Sequence, residues 1–279
     1  MAESALRNFL IPNRPGRLLI RVVLYVVAAL GFIYVFQGRI LYQPIVSSLK
    51  EVTRMANVQT LQVWPREPDY RGFLYESPDG AHRGTVAVFH GNAGDALDRI
   101  YYTQALSSRG FRVLLVEYPG YGARAGAPNE GVLVADAVET LRLIHAQFGD
   151  RLYVIGESLG AAVGSAAAAA AGVPIKGVAV ITPWDTLPDL AQARFWYLPA
   201  RWLVQDRFDN IGNLNKLGSK VAVCISSADE IIPFARGQRL FESLTTPKKR
   251  WVFQGSGHND WPADPEDGWW SEVMEFLEE

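Results

Sequence analysis

Sulfur is scarce in this chain: one cysteine, Cys224, and three methionines among 279 residues. A lone thiol forms no internal disulfide, and it leaves no room for a cysteine-built zinc site or an iron–sulfur cluster. Histidine is limited to His82, His90, His145 and His258. An excess of one charge is also missing. The 27 Lys and Arg residues face 29 Asp and Glu, a net of −2, which argues against nucleic acid as the main partner. No internal repeat recurs at solenoid periods. Apolar side chains, by contrast, make up 49 % of the chain and aromatics 11 %, so the chain is not disordered. Its length permits one large α/β domain or two small ones, at about 150 residues per domain.

The balanced charge conceals an uneven distribution. Residues 1–39 hold five arginines (Arg7, Arg14, Arg17, Arg21, Arg39) and one acid, Glu3, leaving 22 basic and 28 acidic residues, a net of −6, in the rest. Seventeen uncharged residues separate Arg21 from Arg39. With Leu18, Leu19 and Ile20 before them, they approach the roughly 30 Å of bilayer hydrocarbon at about 1.5 Å per residue, and both arginines can snorkel to the interfaces. Residues 1–39 therefore read as a basic entry segment and one transmembrane anchor. Tyr25 and Tyr34 suit the interfacial aromatic belts, and the arginines predict a cytoplasmic N-terminus with the large domain across the membrane, on its periplasmic or lumenal side. Two readings compete: a signal peptide cleaved near Ala29-Leu30-Gly31, and a buried helix of the globular domain.

Residues 40–56 read as a connector, and 57–279 as one domain. Two short strand-like runs, 57–64 and 71–76, form an antiparallel start. Then apolar runs rich in Val, Ile and Leu (85–90, 112–118, 151–156, 177–181, 221–226, 250–254) alternate with helical stretches (95–108, 130–147, 159–171, 234–243, 265–277). Near-continuous apolar strands suit a parallel sheet covered on both faces, and the alternation predicts a doubly wound α/β fold. The alanines of 166–171 let their helix lie close to the sheet.

Chemistry is first legible at Gly156-Glu157-Ser158-Leu159-Gly160, where a strand feeds a Gly-x-Ser-x-Gly turn and a helix leaves it. Gly156 and Gly160 permit a turn so tight that the serine oxygen projects above the sheet. A serine hydroxyl is a weak nucleophile at neutral pH and needs a base, which in turn needs an acid to hold its tautomer. His258 lies in a loop directly after the last strand, whereas His82 falls in a turn beside Asp79 and His145 within a helical stretch. The required chain order is serine, acid, histidine. Asp229 follows the strand 221–226 and is the favoured acid; Glu230 beside it is the alternative, and Asp206 and Asp209 are weaker rivals. For the oxyanion, the expected donors are the amides of Leu159 and Asn92. His90 and Gly91 support the Asn92 loop, His90 by hydrogen bonding and not as a base.

These segments, together with Glu117-Tyr118-Pro119-Gly120-Tyr121-Gly122 and Ala228-Asp229-Glu230-Ile231-Ile232-Pro233, resemble the α/β-hydrolase superfamily over nearly all of residues 57–279. Within it they resemble the small membrane-associated serine hydrolases that include depalmitoylating thioesterases. The resemblance implies Ser158, Asp229 and His258 as a triad and hydrolysis of esters or thioesters, and the expected substrate is a small-molecule or lipid-like acyl ester. No metal or cofactor is expected.

Residues 183–215 are either a small lid, presenting Trp184, Trp196 and Trp202 to an acyl chain, or an ordinary amphipathic helix packed on the sheet. Two other function classes stay open: a serine peptidase or amidase on the same fold, and a membrane-tethered binding protein whose catalysis is lost. Cys224, in the strand before Asp229, is expected to be an inert buried thiol.

Overall fold

The computed structural model describes residues 15–77, 80, 82–149 and 151–279; Glu3, Arg7, Arg14 and Asp79 lie outside the described residues. The chain divides into two units, Met1–Ile40 and Leu41–Glu279. Helix α1, Pro15–Leu41, carries the first. Its stretch Leu18–Leu41 is apolar and wholly unburied over 24 residues, about 36 Å of helix. A core helix would bury its apolar side chains, and within its own unit this one buries none.

The second unit begins with a short strand β1 (Gln43–Pro44) and helix α2 (Leu49–Val58). Helix α2 occupies residues 49–56 of the expected connector and the first two residues of the expected strand 57–64. Its cause is local: Ser48 and Glu51 form a reciprocal capping box, and Val52 and Ala56, four residues apart, are buried on one face. Strand β2 is thereby confined to Gln62–Trp64. It is followed by β3 (Gly72–Tyr75), β4 (Gly84–Phe89), β5 (Ala93–Gly94), a 3-10 turn (Ala96–Arg99), α3 (Tyr101–Ser107), β6 (Phe111–Val116), α4 (Glu130–Phe148), β7 (Leu152–Glu157), α5 (Leu159–Ala170) and β8 (Gly177–Ile181). Then come α6 (Leu187–Arg194), α7 (Ala200–Leu203), α8 (Asn210–Leu217), β9 (Lys220–Ser226), α9 (Phe234–Ser243), β10 (Lys248–Phe253) and α10 (Trp269–Glu278).

Eight strands form one sheet in the order β10-β9-β8-β7-β4-β6-β3-β2. All neighbours pair in parallel except around β3, which runs against both β2 and β6. The expected doubly wound α/β architecture is therefore present. Side chains alternate between its two faces. Ala87, Phe89, Val154, Val178, Val180 and Val223 pack beneath α4, α5, α8 and α9. Val86, Val88, Ile155, Ala179, Ile181 and Cys224 pack against α3 and α10. Burial on both faces explains why the strands read as continuous apolar runs. The alanines of α5 are packed as expected: a Cβ added at Gly164 would come within 2.9 Å of Val154 and 3.1 Å of Phe89.

Strand order places the site. The chain passes from β4 outward to β6 and then back across to β7, so the loops leaving β4 and β7 emerge side by side, with Phe89 paired to Gly156. The carboxyl edge at such a reversal is where open α/β sheets bind ligands.

Candidate active site

The elbow after β7 is strained, as its flanking glycines require. Ser158 has φ +51° and ψ −114°, a conformation unusual for a non-glycine residue. A Cβ at Gly160 would lie 1.9 Å from the Phe89 carbonyl oxygen, and one at Gly156 would lie 2.3 Å from the Gly160 oxygen. Both glycines are thus required by close backbone approach. The Ser158 N–H donates to the Ile181 carbonyl at 2.9 Å, which ties the elbow to β8.

Two loops from the far edge converge on this serine. His258, after β10, places Nε2 3.0 Å from Ser158 Oγ and Nδ1 2.7 Å from Asp229 Oδ2. The histidine and aspartate side chains are nearly sealed from solvent. Asp229 is itself held, because its Oδ1 accepts the N–H groups of Ile231 at 2.9 Å and Ile232 at 2.7 Å. Glu230 acts on the backbone instead, where its carboxylate accepts the N–H of His258 at 3.1 Å. The structure thus separates the two adjacent acids, one on the ring and one on the loop. Asp206 and Asp209 are employed elsewhere. Asp206 accepts from the Tyr42 hydroxyl and the Glu130 N–H, and Asp209 caps α8.

The loop after β4 forms the opposite wall. Tyr121 and Gln43 both donate to the Asn92 carbonyl, and Asn92 Nδ2 donates to the Leu41 carbonyl. The Asn92 backbone N–H takes no part in these bonds. The Leu159 N–H opens helix α5, where the first N–H groups lack intrahelical partners. His90 is buried under this loop, with Nδ1 2.8 Å from the Gly91 carbonyl and Nε2 3.1 Å from Glu117 Oε1. Both neighbours are acceptors, so the ring braces the loop as a donor. His82 and His145 are not part of the cavity that includes Ser158.

One contributor to the site is missed by motif reasoning. Glu157, immediately before Ser158, is buried, and its carboxylate gathers four donors: Arg99 Nε, the Gly91 N–H at 3.2 Å, and the hydroxyls of Tyr101 and Tyr102 at 2.9 and 3.2 Å. Burial pushes its pKa up, but the charge and hydrogen bond of Arg99 and the Tyr101 hydroxyl outweigh this and hold the carboxyl below its ordinary value. The legible signal was an acid closing an apolar strand, since a buried charge demands a partner. Glu117, at the end of β6, carries the same signal.

Gly91, Asn92, Glu157, Ser158, Thr182 and His258 line a cavity of about 50 Å³. That is room for one or two waters, so it does not enclose an acyl chain. The segment 183–215 divides. Trp184 is only 3 % exposed and belongs to the core, which removes it from any lid. Trp196 and Trp202 are 79 % and 81 % exposed. A bridge between Thr186 and Asp209 closes the base of the excursion. Cys224 is buried, and burial pushes its thiol pKa up.

The chain is similar to known proteins in sequence and fold. A family model described as the alpha/beta hydrolase fold matches residues 84–215. An uncharacterized protein of Mycobacterium tuberculosis is 30 % identical over 244 residues, 86 % of each chain. The lysophosphatidylserine lipase of Danio rerio is 26 % identical over 193 residues, 62 % of this chain and 50 % of the lipase. An esterase of Pyrococcus furiosus superposes with a TM-score of 0.63 at 16 % identity, covering 85 % of this chain and 97 % of the esterase.

Proposed function

We propose, from the premise that this chain belongs to the α/β-hydrolase superfamily, that it is a membrane-anchored serine hydrolase of carboxylic esters or thioesters. The observation that carries the reading is the hydrogen-bonded series Ser158–His258–Asp229. With Nδ1–H donated to Asp229, the Nε2 lone pair faces the serine hydroxyl. As Ser158 Oγ bonds to an acyl carbonyl carbon, its proton passes to His258 Nε2, and Asp229 stabilises the imidazolium. The negative charge moves to the carbonyl oxygen, for which the amides of Leu159 and Asn92 are the donors; each such donor is typically worth about 3 kcal/mol. Collapse expels the alcohol or thiol with the proton from His258. Water then attacks the acyl-enzyme by the same route, releasing the acid and restoring Ser158.

Ser158→Ala should abolish turnover and labelling by a fluorophosphonate; retained labelling rejects the assignment. Wild-type protein that is unlabelled and inert would instead favour the non-catalytic binding reading. Similarity to a lipase favours esters over peptides, and aryl esters of graded length, acyl thioesters and a peptide separate these classes.

Anchoring rests on the unburied apolar stretch Leu18–Leu41. Full-length protein should stay in the membrane through alkaline carbonate extraction, and complete release of uncleaved protein would sink the anchor. The arginine-rich start orients the N-terminus to the cytoplasm and the catalytic unit to the far side. Protection of the catalytic unit from protease added on that far side of intact membranes would reverse this orientation.

A further inference from the structure

The excursion between Thr186 and Asp209 carries the most exposed aromatic cluster described in the second unit. Trp196, Tyr197 and Trp202 are 79 %, 65 % and 81 % exposed, and Phe195 joins them at the rim. Trp196 and Tyr197 pack edge to face on each other and leave their outer surfaces to solvent. Large aromatics in this state are unusual on a soluble surface, and four of them within the eight residues 195–202 mark an interaction site.

The charges around the cluster indicate what the site meets. Residues 187–208 hold Arg194, Arg201 and Arg207 against Asp189 and Asp206. Both acids are engaged, Asp189 with Arg201 and Asp206 with the Tyr42 hydroxyl and the Glu130 N–H. The three arginines are exposed, whereas Asp189, Asp206 and Glu130, whose carboxylate accepts the Arg207 N–H, are only part-exposed, so guanidinium groups are the outermost charges of the excursion. Tryptophan and tyrosine beside arginine is the composition that settles at the headgroup level of a bilayer, with rings at the acyl boundary and guanidinium groups on phosphates. Position agrees with composition. The excursion leaves the sheet just beyond Thr182, which lines the cavity over Ser158, and that cavity does not enclose an acyl chain.

We propose that the Trp196–Trp202 face docks on an anionic lipid surface, so that acyl chains reach Ser158 from the membrane. This rests on the esterase and anchor readings for its purpose, but its test does not. The chain has eight tryptophans and none lies in the apolar stretch Leu18–Leu41. Trp64, Trp184, Trp251, Trp261 and Trp270 are buried, and Trp269 is half-buried, stacked on Trp270. Tryptophan quenching by lipids brominated in the acyl chains therefore reads Trp196 and Trp202, not the anchor.

The experiment uses the full chain in vesicles of brominated phosphatidylcholine, with and without phosphatidylglycerol. Wild type should be quenched, more strongly with phosphatidylglycerol, and salt should weaken that increment. The Trp196→Ala/Trp202→Ala variant should lose most of the quenching while floating with the vesicles and unfolding at the wild-type urea midpoint. Floating but unquenched wild type overturns the docking face while leaving the anchor intact. Quenching that survives in the double variant, or that ignores phosphatidylglycerol, also overturns it. Failure to float condemns the anchor instead, and lipid-dependent quenching without flotation still upholds the face.

Discussion

Replacing Glu157 probes the site's least visible support. Its carboxylate is the shared acceptor for Arg99, Gly91, Tyr101 and Tyr102. Glu157→Gln keeps length and one acceptor oxygen, which can still serve the Gly91 N–H, while the two tyrosine hydroxyls can rotate to accept from the new amide. What it removes is the charge opposite Arg99. Breaking a buried ion pair from one side typically destabilises by about 3–5 kcal/mol. The Arg99 side chain is 19 % exposed, so water partly screens it, and about 2–3 kcal/mol is expected. Glu157→Leu also orphans the Gly91 N–H and should lose at least another ~1–3 kcal/mol.

Urea unfolding of the full chain in detergent, analysed at constant slope, measures both losses. The sign of the pH dependence is set by the lowered pKa of Glu157. Its contribution is complete above the unfolded carboxylate value of about 4.3, and is lost as pH falls through the lower folded value. Glu157→Gln should lack that component of acid sensitivity. Arg99→Met should couple to it in a double-mutant cycle, because the two residues share one interaction. If Glu157→Gln unfolds within about 0.5 kcal/mol of wild type, the range of an ordinary surface change, the proposed support is refuted.

Asp229→Asn should lower kcat by about 10⁴ while leaving KM nearly unchanged, read with an aryl ester. The Ile231 and Ile232 N–H groups require an acceptor at Oδ1, so the new amide must turn its NH₂ toward His258 and enforce the wrong tautomer. An Asn variant with more than a tenth of wild-type kcat would contradict this. Gly160→Ala should prevent accumulation of folded protein, since its Cβ would meet Phe89 oxygen at 1.9 Å; Gly172→Ala, at φ +68° in open space, should cost only about 1–2 kcal/mol. Soluble expression and thermal unfolding compare the two. Cys224 should resist thiol reagents in the native protein and react once urea exposes it, because it is buried and burial raises its pKa.

Much of this protein is determined by sequence alone, wherever the controlling physics is local. Continuous apolar strands alternating with helical stretches specify a sheet covered on both sides, and the glycines around Ser158 specify a turn that only small residues permit. Serine, acid and histidine in that order, each just after a strand, locate the candidate site. The cap on α2 is equally local: Ser48-x-x-Glu51 spells a helix start inside a stretch that otherwise reads as a connector.

Tertiary structure decided what depends on distant partners. Sequence favours Asp229 over the adjacent Glu230 without giving either a partner, and the approach of His258, 29 residues away from Asp229, puts one on the ring and the other on the loop. Trp184 and Trp196 look alike on the chain, but the Thr186–Asp209 bridge leaves one in the core and the other in solvent. Glu157 reads as a neighbour of the nucleophile until Arg99, 58 residues earlier, lies against it. Backbone geometry and hydrophobic period are written residue by residue. The partners of a buried charge are set by which strand ends the sheet order brings together.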